Sequence, residues 1–190
     1  MDLEQLRRET LPDHDAVEQS VPLMDDGLDV DTYVSCLRKL HGIITAWEEW
    51  VAPNAPAWIQ TLLAARRRGQ LLTLDLAWFG VDPPLGAKPT LPEMRDTASL
   101  LGAMYVIEGS TLGGQLIARR VELVLGLTAG HGNAYFCGHK ERTGQLWKEF
   151  CNVLRTKVPD GETDTVIAAA KAMFRVFRSW MGTGMRVASK

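Results

Sequence analysis

The stretch Y105-V-I-E-G-S-T-L-G-G-Q115 lies in a segment that otherwise reads as one long helix, and it sets Gly109, Gly113 and Gly114 in that helix's interior. An interior glycine is less favourable than alanine by roughly 0.5–1 kcal/mol. Three of them in six residues imply a need for backbone that carries no side chain. Gly109 and Gly113 are four apart and so share one face. A bare helix face can receive another helix or a flat ligand, and taken alone the glycines fit close helix packing better.

The flanking chain is helical by pattern. Leu3, Leu6, Thr10, Val17 and Val21 recur on one face of a first helix over residues 3–21, where Pro12 predicts a kink or a fresh start. Asp31 reads as the N-cap of a second helix reaching Val51, with Tyr33, Leu37, Leu40, Ile44 and Trp47 at helical spacing. Pro53 and Pro56 end it. A third helix over 56–68 closes at Arg66-Arg67-Arg68-Gly69, a basic run suited to a helix C-terminus, and a short one follows over 70–79. Pro83, Pro84, Pro89 and Pro92 mark a loop. The glycine-bearing helix is expected from Glu93 to Leu125, then an aperiodic glycine-rich segment, a helix over 143–156, and a last one from about Glu162. Without strand alternation or internal repeat, the fold class is all-α, a single domain over residues 1–190.

Bulk properties narrow the function. Of 190 residues, 46% are hydrophobic and the formal net charge is −2, which suits a globular core and no nucleic-acid partner. No apolar run is long enough to span a membrane, and the charged N-terminus MDLEQLRRET is no signal peptide, so the expected location is the cytoplasm. Cys36, Cys137 and Cys151 fit neither a disulfide framework nor a zinc pattern. Glu-x-x-His pairs, which a carboxylate-bridged di-iron bundle requires, do not occur.

The first helix contains H14-D-A-V-E18, which places His14 and Glu18 on one face. A neutral imidazole can bind a metal while a carboxylate steadies its ring. Alone, the pair reads equally as a surface histidine beside a solvated glutamate. His41, His131 and His139 read as structural or solvent-exposed, and Glu108 faces away from the glycines.

Together, LRRETLPDHDAVE (residues 6–18) and YVIEGSTLGGQ (105–115) resemble the proximal and distal helices of the haem oxygenase family, most of all its bacterial, biliverdin-producing, phytochrome-associated branch. The resemblance implies a multihelical fold with haem between those helices. It implies cleavage of haem to biliverdin, carbon monoxide and iron, using O2 and electrons from an external donor such as a ferredoxin or flavin reductase. Haem is then both cofactor and substrate, and a bacteriophytochrome could accept the bilin. His14 matches the axial ligand and Glu18 the nearby carboxylate. Arg7 and Tyr105 match residues that meet the propionates, and Phe174 and Phe177 can line the pocket. Gly109, Gly113 and Gly114 match the distal glycines that steer bound oxygen toward the porphyrin edge. Ser110 stands where mammalian members carry an aspartate, and Lys148 and Arg155 offer late-helix propionate contacts. A non-catalytic haem or bilin binder on the same scaffold is the alternative. A thiaminase-like hydrolase would need a nucleophilic cysteine in a motif this chain does not offer.

Overall fold

A computed structural model describes residues 1–183 apart from 85 and 87, and every regular element among them is helical. Helix α1 (Leu3–Ser20) starts at Asp2, whose carboxylate accepts the Glu4 N–H at 2.8 Å. It runs unbroken through Pro12, against the sequence expectation. Pro12 is exposed, so the carbonyl that loses its partner can be hydrated, while the opposite face stays anchored. Helix α2 (Val30–Asn54) is capped by Asp29 rather than Asp31, and Pro53 falls within its last turn. Helices α3 (Ala57–Ala64) and α4 (Gly69–Trp78) follow. Helix α5 (Thr97–Leu125) begins at an Asp96–Ser99 capping box, four residues after Glu93, and ends at Gly126 with φ 68°. Helix α6 (Ala134–Cys137) lies in the segment read as aperiodic; α7 (Thr143–Lys157) and α8 (Thr163–Gly182) complete the set.

Helix α8 packs against both α5 and α1, and α2 packs on α4. Helix α5 approaches α8 tightly at Gly102, where a Cβ would stand 2.3 Å from the Val166 carbonyl oxygen and 2.9 Å from Ala169 Cβ. One continuous core runs through the bundle, with Trp47, Tyr33 and Phe150 its largest fully buried side chains. Each such side chain contributes roughly 1.5–3 kcal/mol by leaving water.

A four-residue helix cannot form on its own, and α6 is held from outside. The two Asp75 carboxylate oxygens accept the Ala134 and Tyr135 N–H groups at 2.7 and 2.8 Å. The Tyr33 hydroxyl donates to the Gly132 carbonyl at 2.9 Å, and the Asn133 amide donates to Glu122 at 2.8 Å. These bonds press the chain after α5 back against α4 and α5.

Candidate functional site

His14 stands on the exposed side of α1, its side chain 49% accessible. Its Nδ1 lies 3.4 Å from Asp15 Oδ1 and its Nε2 3.6 Å from Glu18 Oε1, so neither nitrogen is tightly engaged. Ligand atoms of the three residues fall within 4.8 Å of one another. Behind the imidazole, Phe174 of α8 meets it edge-on with centroids 5.9 Å apart, and both Phe174 and Phe177 are buried. One turn before His14, Leu11 is left 48% exposed.

The three glycines of α5 have three different surroundings. A Cβ on Gly109 would touch the Trp147 ring of α7 at 3.7 Å. One on Gly113 would meet nothing within 4 Å, and one on Gly114 would press to 3.2 Å from the Phe136 carbonyl oxygen. The open position at Gly113 is bordered by Leu112 and Leu116, themselves 43% and 61% exposed. Tyr105 is half-buried against Trp147, centroids 5.6 Å apart. Burial pushes its hydroxyl above the usual tyrosine range, against a hydrogen bond from Thr10 and the charge of Arg7. Tyr105 therefore brings the Arg7–Thr10 turn of α1 to α5.

Beneath the same stretch of α5 lies a buried polar layer that the sequence reading missed. Arg66 and Arg68, read there as a basic helix end, are 4% and 3% exposed, while Arg67 between them points outward. Arg66 donates to Glu108 at 2.6 Å and to the Leu146 carbonyl at 3.0 Å. Burial raises the Glu108 carboxyl despite that partner, because removing the charge from water outweighs the pull of Arg66 and Arg68. Arg68 donates to the Ser110 hydroxyl and the Ile107 carbonyl, both at 3.0 Å, with its guanidinium 4.6 Å from the Tyr135 ring centroid. A glutamate directly after the apolar run Tyr105–Ile107 was the available signal, since such a carboxylate needs a cation.

His139, read as solvent-exposed, is half-buried, and burial with Arg68, Arg66 and Arg142 lowers its proton affinity. His41 lies 3.3 Å from the Thr73 hydroxyl, in keeping with a structural role, and His131 is exposed as expected, with its ring against Trp78. Lys148 and Arg155 are exposed on α7. A bare, apolar helix face and an exposed imidazole on a neighbouring helix are the groups that a flat apolar ligand carrying a metal requires.

A family model described as "Heme oxygenase" matches residues 2–183. A curated "Heme oxygenase" of Xanthomonas campestris pv. campestris (strain 8004) is 33% identical over 166 residues, covering 84% of this chain and 94% of that protein. Among solved structures, an NO- and CO-bound heme oxygenase from Neisseria meningitidis superposes with a TM-score of 0.80 at 20% identity, covering 98% of this chain and 94% of that one. A heme oxygenase from Leptospira interrogans does so with a TM-score of 0.77 at 21% identity, over 93% and 96% of the two chains.

Proposed function

The chain belongs to the haem oxygenase family, and on that premise we propose that it cleaves haem held between α1 and α5. The observation that carries this placement is the open, leucine-bordered face at Gly113, together with the loosely held His14 on α1. Arg7 and Tyr105 sit close together, with His14 seven residues past one and Gly113 eight past the other. That is about 10–12 Å along each helix, a span suited to the porphyrin from propionates to iron.

Bound haem supplies the iron that engages O2 and the ring that is opened to biliverdin with loss of carbon monoxide and iron. His14 donates an imidazole nitrogen to that iron, and Glu18 steadies the ring's orientation. Phe174 and Phe177 wall the pocket from α8. Arg7 and Tyr105 take the propionates. Gly113 leaves the α5 backbone open to the ligand, while Trp147 covers Gly109 and the Phe136 carbonyl closes on Gly114. Ser110 donates to the Ile107 carbonyl at 2.7 Å and accepts from Arg68, which leaves its oxygen one acceptor site to order water without adding a charge. The electrons come from an external donor such as a ferredoxin or flavin reductase, in the cytoplasm, and a phytochrome is a fitting acceptor for the bilin. The whole of residues 1–190 works as one domain in this reading.

Adding hemin and then ascorbate or a ferredoxin system tests it: the Soret band should disappear as a bilin forms. A stable haem spectrum under reductant would instead identify a non-catalytic binder. His14→Ala should keep the helical circular dichroism yet lose the six-coordinate haem spectrum and turnover. A variant that cleaves haem at the wild-type rate would remove His14 from the axial position.

A further inference from the structure

We propose that Arg66 is a specificity-determining positioning residue for haem cleavage: by pinning α7 to α5 it seats the Trp147 ring over Gly109 and so sets which edge of the porphyrin is opened. The proposal rests on the haem-cleaving reading above.

Arg66 joins the two helices at matched positions. Its guanidinium donates to Glu108 of α5 at 2.6 Å, and to the Leu146 carbonyl at 3.0 Å and Glu149 at 3.3 Å on α7. Glu108 directly precedes Gly109, and Leu146 directly precedes Trp147. The next residue of each helix makes the contact: a Cβ on Gly109 would lie 3.7 Å from Cη2 and Cζ3 of the Trp147 ring. The same ring lies against Tyr105, centroids 5.6 Å apart, and against Phe150 at 6.0 Å. Gln145 donates to Glu149 at 2.9 Å, which steadies that carboxylate for Arg66. A one-residue slip of a helix turns its side chains by about 100°, and the bonds to α7 hold it against such a slip.

The edge of Trp147 is where the open part of α5 begins. Tyr105, Gly109 and Gly113 recur every four residues, hence on one side of the helix. Trp147 takes the first two, and Gly113 is open. Four residues make about 6 Å of helix, so a small advance or retreat of the indole shortens or lengthens the open face. A flat ligand seated at Gly113 has the indole as its stop on the α7 side, and that stop limits how the ligand turns in its own plane. Tyr105, read as a propionate contact, leans on the same ring, so both contacts shift together. The chemistry of ring opening is untouched; the choice among bridge carbons depends on the stop.

A buried ion pair suits this task. The Arg66 and Glu108 side chains are both hidden from water, and burial raises the Glu108 carboxyl even beside its partner. Such a pair adds little net stability over an apolar one, although removing one member alone is costly. The arginine adds geometry: a planar fork of donors in fixed directions, here shared by acceptors on two helices.

Arg66→Ala would leave the Glu108 carboxylate buried and unpaired, so the test uses the apolar pair Arg66→Met/Glu108→Leu. Glu108→Gln is the conservative control, because it keeps an acceptor for Arg66. Arg66→Lys keeps a charge beside Glu108 without the fork that reaches α7 at the same time. In the haem-free protein, the Trp147 ring current should displace the Gly109 Cα proton signals. That displacement should persist in Glu108→Gln and shrink in the apolar pair, as it does in Trp147→Ala. In the ferric haem complex, the haem methyl proton signals of the apolar pair should move, reporting an altered seating. Chromatography of its bilin products should show the minor isomers raised about threefold or more against the major one, a size typical of lost coupling between touching residues. Arg66→Lys should shift the pattern the same way, and Glu108→Gln should keep the wild-type pattern. Trp147→Ala should change the pattern by itself, and adding the apolar pair to it should change little further, because Arg66 acts through that ring. A wild-type isomer pattern in both Arg66 variants would overturn the assignment, as would fully additive effects in the combined variant. Failure of the wild-type protein itself to cleave haem would overturn the underlying functional reading instead, whatever the Gly109 signals show.

Discussion

Gly102 and Gly113 lie on the same helix under opposite constraints. At Gly102 an added methyl would collide with the backbone of α8, 2.3 Å from a carbonyl oxygen that has no means of moving aside without its helix. At Gly113 the same methyl meets nothing within 4 Å. In the haem-free protein, Gly102→Ala should therefore lose about 1–3 kcal/mol as overpacking forces α5 and α8 apart. Gly113→Ala should gain up to about 0.5–1 kcal/mol from helix propensity. Urea midpoints of the two variants against wild type check the signs, and a like sign for both would contradict these surroundings. Gly113→Leu extends the test: it should fold normally and fail to take up haem. The sequence reading picked out Gly109, Gly113 and Gly114 because they cluster. It passed over Gly102, which sits in an ordinary apolar run and is defined by Val166 and Ala169, more than sixty residues away. Local pattern carries no information about such a partner.

At the scale of the element, the helices themselves were legible wherever an apolar stripe persisted, as in α2, α5 and α8. Their starts were less so. The N3 residue of α5 is Ser99 rather than a glutamate, so the Asp96 box does not match the usual capping signature, and Glu93 looked like an equally good start. Helix α6 was invisible because its hydrogen-bonding partner, Asp75, comes from another helix. The Asp96 cap has a defined pH signature. Hydrogen bonds to Ser99 hold its carboxyl below the ordinary 3.8, so its stabilisation is present above that value and is lost as pH falls beneath it. Asp96→Ala should cost about 1 kcal/mol at neutral pH. The gap between variant and wild type should stay constant down to about pH 4 and close below it. Asp75 and Glu108 have the opposite sign. Burial raises both, so their protonation favours the folded state as pH falls, and neither should narrow that gap. Chemical denaturation of the pair of proteins across pH 3–7 would show it, and a gap that widened in acid would contradict the assignment.

For the whole molecule, the all-helical class was readable from apolar periodicity, and the two helices proposed to carry the site stood out because glycine clustering and an H-x-x-x-E spacing are local signals. The layer beneath them was not, since Arg66, Arg68, Glu108, Trp147 and His139 meet only after α3, α5, α7 and the chain before α7 have packed. That architecture bears on how the ligand stabilises the fold. α1 rests on α8 and touches α5 through the Arg7–Thr10 turn and Tyr105, while His14 and Gly113 lie exposed beyond that contact. A ligand seated between those exposed positions bridges helices that otherwise meet through α8 and at that one turn, and it binds the folded chain alone. At a free haem concentration about a hundredfold above its dissociation constant, linkage supplies about 2.7 kcal/mol. For a chain of this size that corresponds to a rise in Tm of about 5–10 °C. Gly102→Ala should melt lower yet keep the full haem-dependent rise, because its defect lies at the α5–α8 crossing. His14→Ala should melt near wild type without haem and show a much smaller rise, because it removes a ligand contact from an exposed face. Scanning calorimetry of the three proteins with and without hemin separates the effects, and an equal rise in His14→Ala and wild type would detach the haem site from α1.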